Sequence, residues 1–313
     1  MLFEKLKNEE KIGVTVSGGK DSMYVWQRLV SKFGPERVIA FNHHKINAVH
    51  SIATKNLKDA QKILKSELVI IEDSDFFERF KKNLKTYIKT PNPAILRAVI
   101  CAGCRYGISN GIFKEAKKYN VKKIVNGASY LELEPFKGHY MEKLGNGSEE
   151  KGLLLGLTEN KEYLSKSNLE IIIKDHFNCH EKNLSNKINS SDIEYINFFD
   201  YVENNPRLIK KEVVENLNWS HPVGVTWRFD CLVEDFKQFF YLNEYGYSEL
   251  DFKYSEMVRY GLISREKSMQ TIETQNAKIL SDYDRLLKFL HDMNSEKEII
   301  ELFENAFSIR KAS

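Results

Sequence analysis

The chain has 313 residues, 42% hydrophobic and 29% charged, with a net charge of +3, which is enough apolar material for one large domain or two ordinary ones. Its 47 basic and 44 acidic residues are evenly mixed, so bulk charge gives no strong nucleic-acid footprint, although a local patch stays open. No apolar run approaches the roughly 18 residues of a membrane span, and the opening "MLFEKLKNEEKIG" carries no apolar signal core; the expectation is a cytoplasmic protein, away from membranes, whose 4 cysteines are reduced.

In chain order, Ile12 to Val16 predicts a buried strand. Met23, Trp26, Val30 and Phe33 follow at helical spacing, and Gly34-Pro35 ends that helix. "RVIAFNHH" predicts a second strand, "SIATKNLKDAQKIL" a helix capped by Ser51, and "ELVIIED" a third strand. "DFFERFKKNLKTYI" predicts a helix that "TPNP" breaks, and a further helix over 107–119 feeds a strand in "KKIVNGAS". Residues 145–190 are rich in Asn, Lys and Ser, which predicts an irregular insertion holding one helical piece, "KEYLSKSNLEIIIKDHF". "IEYINFFDYV" predicts the last strand, after which the chain reads helical.

This alternation predicts an α/β fold: a Rossmann-like, mostly parallel sheet with helices on both faces over 1–203, then a helical C-terminal region over 204–313. Such sheets bind ligands at the carboxyl ends of their strands. The Ser-Gly-Gly turn, "NHH" and "NGAS" all fall at that edge.

The turn is the sharpest signal. Ser17-Gly18-Gly19-Lys20-Asp21-Ser22 joins a strand directly to a helix. A Gly-Gly pair there lets the backbone approach an anion, and the helix N-terminus points free N–H groups at it. Lys20 adds a point charge, Ser17 and Ser22 add hydroxyls, and Asp21 suits a metal or a helix cap. Neither the Walker A spacing nor the dinucleotide-binding Gly-x-Gly-x-x-Gly spacing is present.

"SGGKDS" resembles the signature of the PP-loop ATP pyrophosphatases, the adenine nucleotide alpha-hydrolase group of the HUP type. That resemblance implies cleavage of ATP between its alpha and beta phosphates, transfer of AMP to a substrate carbonyl oxygen, and loss of pyrophosphate. Ser17, Gly18, Gly19, Lys20, Asp21 and Ser22 would cradle the pyrophosphate with Mg²⁺ offsetting its charge, and Lys20 and Asp21 would act in the reaction. Asn126 and Gly127 match a later strand end that approaches the nucleotide, and His43 is a candidate base contact beside His44.

Cys101 and Cys104, with Gly103 between them and Arg105 after, are the second signal. Spacing alone leaves two readings: buried small residues, or thiolates meeting one metal or redox partner. No second Cys-x-x-Cys or His pair completes a zinc finger. Their place resembles PP-loop sulfur-inserting enzymes, in some of which three cysteines hold a four-iron four-sulfur cluster; Cys231 is the third candidate here. The segment from Cys231 onward also resembles the PP-loop N-acetyl sugar amidotransferases, with Arg259, Gly261, Arg265 and Glu266 at matching positions. Those relatives usually carry an N-terminal cysteine-rich metal module, from which the opening of this sequence departs; with Leu at position 2, the expectation is that an ammonia user would rely on a partner glutaminase.

His176, Cys179 and His180 read as incidental loop residues, and Trp219 and Trp227 as packing anchors around the Pro222 bend. The expected function is an ATP-dependent sulfur transferase acting on a small molecule such as a nucleobase or nucleotide, supplied by a sulfur donor. Sulfur would travel on a persulfide or on a cluster held by Cys101, Cys104 and Cys231. The alternatives are an N-acetyl sugar amidotransferase and a tRNA thiolation enzyme. The helical C-terminal third offers a face for a homodimer or a cover for the ATP cleft.

Overall fold

The computed structural model describes residues 2–74, 76–78, 80–81, 84, 111–128, 193–223, 228–292, 297, 300–301 and 303–305. Cys101, Cys104, His176, Cys179, His180, Trp227 and the helical piece expected within 145–190 lie outside the described residues. The described chain divides into two compact units. The first runs to Ser74, takes up again at Gly111 to Ala128, and closes with the stretch ending at Leu232; the second holds the helical residues 76–78, 80–81 and 84 and the described residues from Val233.

The first unit contains α1 (Leu2–Leu6), β1 (Ile12–Thr15), α2 (Lys20–Phe33), β2 (Val38–Lys45), α3 (Ser51–Leu64), β3 (Glu67–Asp73), α4 (Phe113–Lys118), β4 (Lys123–Asn126), β5 (Glu194–Asn197) and α5 (Pro206–Leu217). Its five strands lie in the order β3-β2-β1-β4-β5 and pair in parallel throughout. Ile12 faces Val38 and Gly13 faces Ile124 across the two central pairings. The chain steps outward from β1 to β2 and β3, then returns to the other side of β1. That reversal puts the switch point, where such sheets bind ligands, between β1 and β4.

Strand periodicity sorts the core. Val38, Ala40 and Val125 face α2, α3 and α5, while Ile39, Phe41 and Ile124 face α4. Helices therefore cover both faces, as a parallel sheet of apolar strands requires. It is an α/β, Rossmann-like fold. Within α2, Met23, Trp26 and Val30 are buried at helical spacing, and Gly34 at φ 90 ends the helix.

Trp26 is wholly buried, and its indole N–H donates to the Ser66 hydroxyl at 3.0 Å, which in turn donates to the Val38 carbonyl at 2.6 Å. Trp26→Ala is expected to cost about 3–5 kcal/mol, read as a lower denaturant midpoint with an unchanged slope.

Two local expectations shift. The cap of α3 is His50, whose Nδ1 accepts the Ile52 N–H at 3.2 Å, and Ser51 is already helical. β5 ends at Asn197, because Phe198–Asp200 form a 3-10 turn. Phe198 and Phe199 are both buried and meet edge to face at 5.3 Å. A pleated strand would send these neighbours to opposite faces.

The second unit carries α6 (Glu234–Tyr245), α7 (Glu249–Arg259), α8 (Arg265–Ser281) and α9 (Tyr283–Asp292). Its interior holds a charged network: Lys237 Nζ lies 2.6 Å from Glu249 and 3.0 Å from Glu234. Ser248 caps α7 in a reciprocal capping box with Asp251.

Candidate phosphate-binding site

The turn after β1 is closed by its own serines. The Ser22 hydroxyl accepts the Ser17 N–H at 3.1 Å and donates to the Gly19 carbonyl at 3.0 Å, and the Ser17 hydroxyl accepts the Gly19 N–H at 3.3 Å. Gly19 stands at the N-cap of α2 in an extended conformation, with no side-chain cap on the helix. The first-turn N–H groups of a 14-residue helix therefore open onto the turn. Lys20 Nζ and Asp21 Oδ1 pair at 2.5 Å, both side chains about three-quarters buried.

Gly18 is at φ +85, a left-handed conformation, and a Cβ there would collide with the Ala53 carbonyl of α3. Its own carbonyl accepts two buried donors, the Trp219 indole at 2.9 Å and the Asn56 carboxamide at 3.2 Å. Asn56 also donates to the Ser220 carbonyl at 2.9 Å and accepts the Ser220 N–H at 3.1 Å. The turn is thus locked to α3 and to the chain after α5. Trp219 is the packing anchor expected of it and, in addition, a direct support of the turn.

Asn126 ends β4 and ties three pieces together. Its amide donates to Asn197 Oδ1 at 2.8 Å and to the Ile196 carbonyl at 3.3 Å, and its oxygen accepts the Ala128 N–H at 2.7 Å. These bonds shape the bend that sets Gly127 against α2. A Cβ on Gly127 would stand 3.0 Å from the Ser22 nitrogen. Asn126 thus supports the site through the backbone, and Gly127 lets β4 approach the turn at the switch point.

His43 is buried, its Nε2 2.7 Å from Asp73 Oδ2 across β2 and β3. His44, next to it, is half-buried. Burial pushes its imidazole below the ordinary value of 6.5, with Glu72 opposing and Lys45, His43 and Lys58 adding to the shift. Neutral His44 then contributes stability above that ordinary value, and the contribution is lost as pH falls through the lowered folded value. Melting temperature is expected to fall as pH drops below that ordinary value, with a shallower slope in His44→Gln.

Residues 228–232 return beside the turn. The Phe229 carbonyl accepts the His50 N–H at 3.0 Å, and Leu232 N–H donates to the Ala48 carbonyl at 2.9 Å. The Phe229 ring lies 5.9 Å from Trp219 and 5.0 Å from His221. Asp230 Oδ2 would stand 3.5 Å from a Cβ built on Gly19, and Cys231 follows it, half-buried. Asn56, Asp230 and the bond from Trp219 to Gly18 were not read from the sequence.

Of the three cysteines named as cluster candidates, Cys231 is described and half-buried, and Cys101 and Cys104 lie outside the described residues. Among the described residues no group of three His, Cys, Asp or Glu side chains is arranged to hold a metal. Arg259 ends α7, Gly261 lies in the turn that follows, and Arg265 and Glu266 open α8. Gly261 takes φ +68 and its N–H donates to the Val258 carbonyl at 3.0 Å, Arg259 pairs with Glu256, and Ser264 caps α8, which Arg265 and Glu266 open. That spacing satisfies helix capping.

The chain matches no family model and no curated protein. Among solved structures it is similar to the U34-tRNA thiolase NcsA from Methanococcus maripaludis with its 4Fe-4S cluster, at 17% identity and a TM-score of 0.39, over 91% of this chain and 75% of that one. It is similar to NMN synthetase from Francisella tularensis at 16% identity and 0.32, over 57% and 88%. Glutamine-dependent NAD+ synthetase from Acinetobacter baumannii, in complex with ADP, is similar at 12% identity and 0.33, over 74% of this chain and 47% of that one. These likenesses assign no role to any residue here. No described helix is long and apolar enough to cross a membrane.

Proposed function

We propose that this chain is a PP-loop ATP pyrophosphatase that adenylates a carbonyl oxygen of a small molecule, such as a nucleobase or nucleotide, and replaces that oxygen with sulfur. The observation that carries the reading is the Ser17–Ser22 turn: a left-handed Gly18 and an uncapped α2 N-terminus at the sheet's switch point, held by Trp219 and Asn56. Such a turn presents backbone N–H groups and a positive dipole end to phosphate oxygens.

The turn would grip the beta and gamma phosphates of ATP and leave the alpha phosphorus open to the substrate. The carbonyl oxygen attacks that phosphorus, the bond to the beta-phosphate oxygen breaks, and pyrophosphate leaves into the turn. Charge growing on the leaving group is met by the α2 N-terminus and by Lys20. A carboxylate this close to phosphates is repulsive unless a cation lies between, so Asp21 fits Mg²⁺ carried with ATP, which would offset the pyrophosphate charge. Hydrosulfide then adds to the activated carbon, AMP departs with the former carbonyl oxygen, and a thiocarbonyl remains.

Cys101 and Cys104 are the proposed route for sulfur, on the strength of their spacing. Cys231 follows Asp230, whose carboxylate faces the turn, which supports a place for it near the chemistry. No step is assigned to a cluster.

The test supplies ATP, Mg²⁺ and hydrosulfide with a panel of nucleobases, nucleotides and amide metabolites. Equal AMP and pyrophosphate with a thiocarbonyl product are expected, and Cys101→Ala and Cys104→Ala should each abolish thiolation. Full thiolation in both variants would rule out Cys101 and Cys104 as the sulfur route, and a panel yielding no thiocarbonyl would end the sulfur reading. Ammonia-dependent AMP formation that tolerates Cys101→Ala would replace it with the amidotransferase reading.

A further inference from the structure

We propose that Asp230 makes anion binding in the Ser17–Ser22 turn conditional on Mg²⁺, so that the turn selects metal-complexed pyrophosphate over the free anion; this rests on the pyrophosphate reading of the turn. The inference starts from position. Asp230 Oδ2 faces Gly19, 3.5 Å from where a Cβ there would stand, and Gly19 is the residue whose missing side chain leaves the turn open.

That placement is fixed by bonds on both sides of the residue. The Phe229 carbonyl accepts the His50 N–H at 3.0 Å, the Asp230 carbonyl accepts Lys45 Nζ at 3.1 Å, and the Leu232 N–H donates to the Ala48 carbonyl at 2.9 Å. The Phe229 ring packs against Trp219, whose indole holds Gly18. One returning segment therefore supports the turn through Trp219 and aims a carboxylate at it through Asp230.

An anion cradle has no use for that carboxylate by itself. Lys45 Nζ is bonded to the main-chain carbonyl of Asp230, while the carboxylate itself faces Gly19, so its charge acts on what the turn holds. A bare pyrophosphate would be repelled, and a pyrophosphate carrying Mg²⁺ would be attracted. The described residues hold no set of three ligands for a resident metal. Mg²⁺ commonly keeps several waters and is shared between one or two carboxylates and substrate phosphates. Asp230 thus acts as a specificity-determining residue, with Asp21 the second carboxylate at the turn.

The experiment is calorimetric titration of inorganic pyrophosphate into the full chain, with and without saturating Mg²⁺ at fixed pH and ionic strength. Wild type is expected to bind the magnesium complex at least about tenfold more tightly than the free anion. Asp230→Asn should bind free pyrophosphate about tenfold more tightly than wild type does, and lose most of the Mg²⁺ gain. Asp230→Glu should keep the metal dependence. Asp230→Ala serves in place of the Asn variant should that one fail to fold. Unchanged affinities in Asp230→Asn, or equal weakening with and without Mg²⁺, would overturn the proposal and leave the turn's own role intact. A wild-type chain that binds pyrophosphate under neither condition would instead sink the reading of the turn, and this proposal with it.

Discussion

Gly18→Ala is expected to remove ATP turnover almost completely while the chain stays folded. Gly18 sits at φ +85, where an alanine costs about 1–2 kcal/mol of backbone strain. The new methyl would also overlap the Ala53 carbonyl, which belongs to the buried face of α3 and cannot withdraw without moving the helix. The turn must give way, and its carbonyl then leaves the Trp219 and Asn56 donors. A displacement near 1 Å in such a site lowers rate by about 100-fold, so kcat/KM for AMP formation should drop by at least that much. Gly246→Ala is the matched control, because Gly246 has φ +75 but open space around its Cα. It should lower the melting temperature and leave turnover unchanged. A Gly18→Ala enzyme with full activity would show that the turn does not hold the nucleotide.

Lys20→Ala is the second large effect. Lys20 opens α2 and its ammonium pairs with Asp21 at 2.5 Å. Removing it takes away the side-chain cation of the turn and exposes the phosphates to an uncompensated Asp21 carboxylate. Loss of one preorganised group that stabilises transition-state charge costs roughly 100- to 1,000-fold in kcat. The loss should fall mainly on kcat, since the backbone N–H groups still bind ATP, and Lys20→Arg should restore part of it. Steady-state AMP formation against ATP concentration separates kcat from KM. An effect confined to KM would limit Lys20 to holding ATP in its ground state.

Much of the sheet was legible because each strand carries its own signal. Ile12, Val14, Val38 and Ala40 are apolar, β-branched or small, and bounded by turn residues, and they form β1 and β2 where expected. The end of β5 was misread because two adjacent phenylalanines look like a strand until Tyr24, far away in sequence, turns out to pack on both. The turn was legible because glycines and serines at fixed spacing encode a local backbone shape. Its supports were not. Asn56 left one trace, a carboxamide on the same face as Ala53, Leu57 and Ala60, where a polar group needs a buried partner. Trp219 was legible as a packing anchor but not as a support of the turn, and Asp230 left no trace, because their meeting with Gly18 and Gly19 is made by the fold returning on itself. The Arg259–Glu266 pattern is satisfied by the turn between α7 and α8, so spacing there speaks first of helix ends.

The most direct test of the central claim is which phosphorus bond breaks. Phosphorus NMR of ATP incubated with the protein, Mg²⁺, hydrosulfide and the amide panel distinguishes the products. AMP and pyrophosphate in equal amounts, absent in Gly18→Ala, are predicted. ADP with inorganic phosphate would contradict the claim, because the turn would then be holding a nucleotide cleaved at its gamma phosphate.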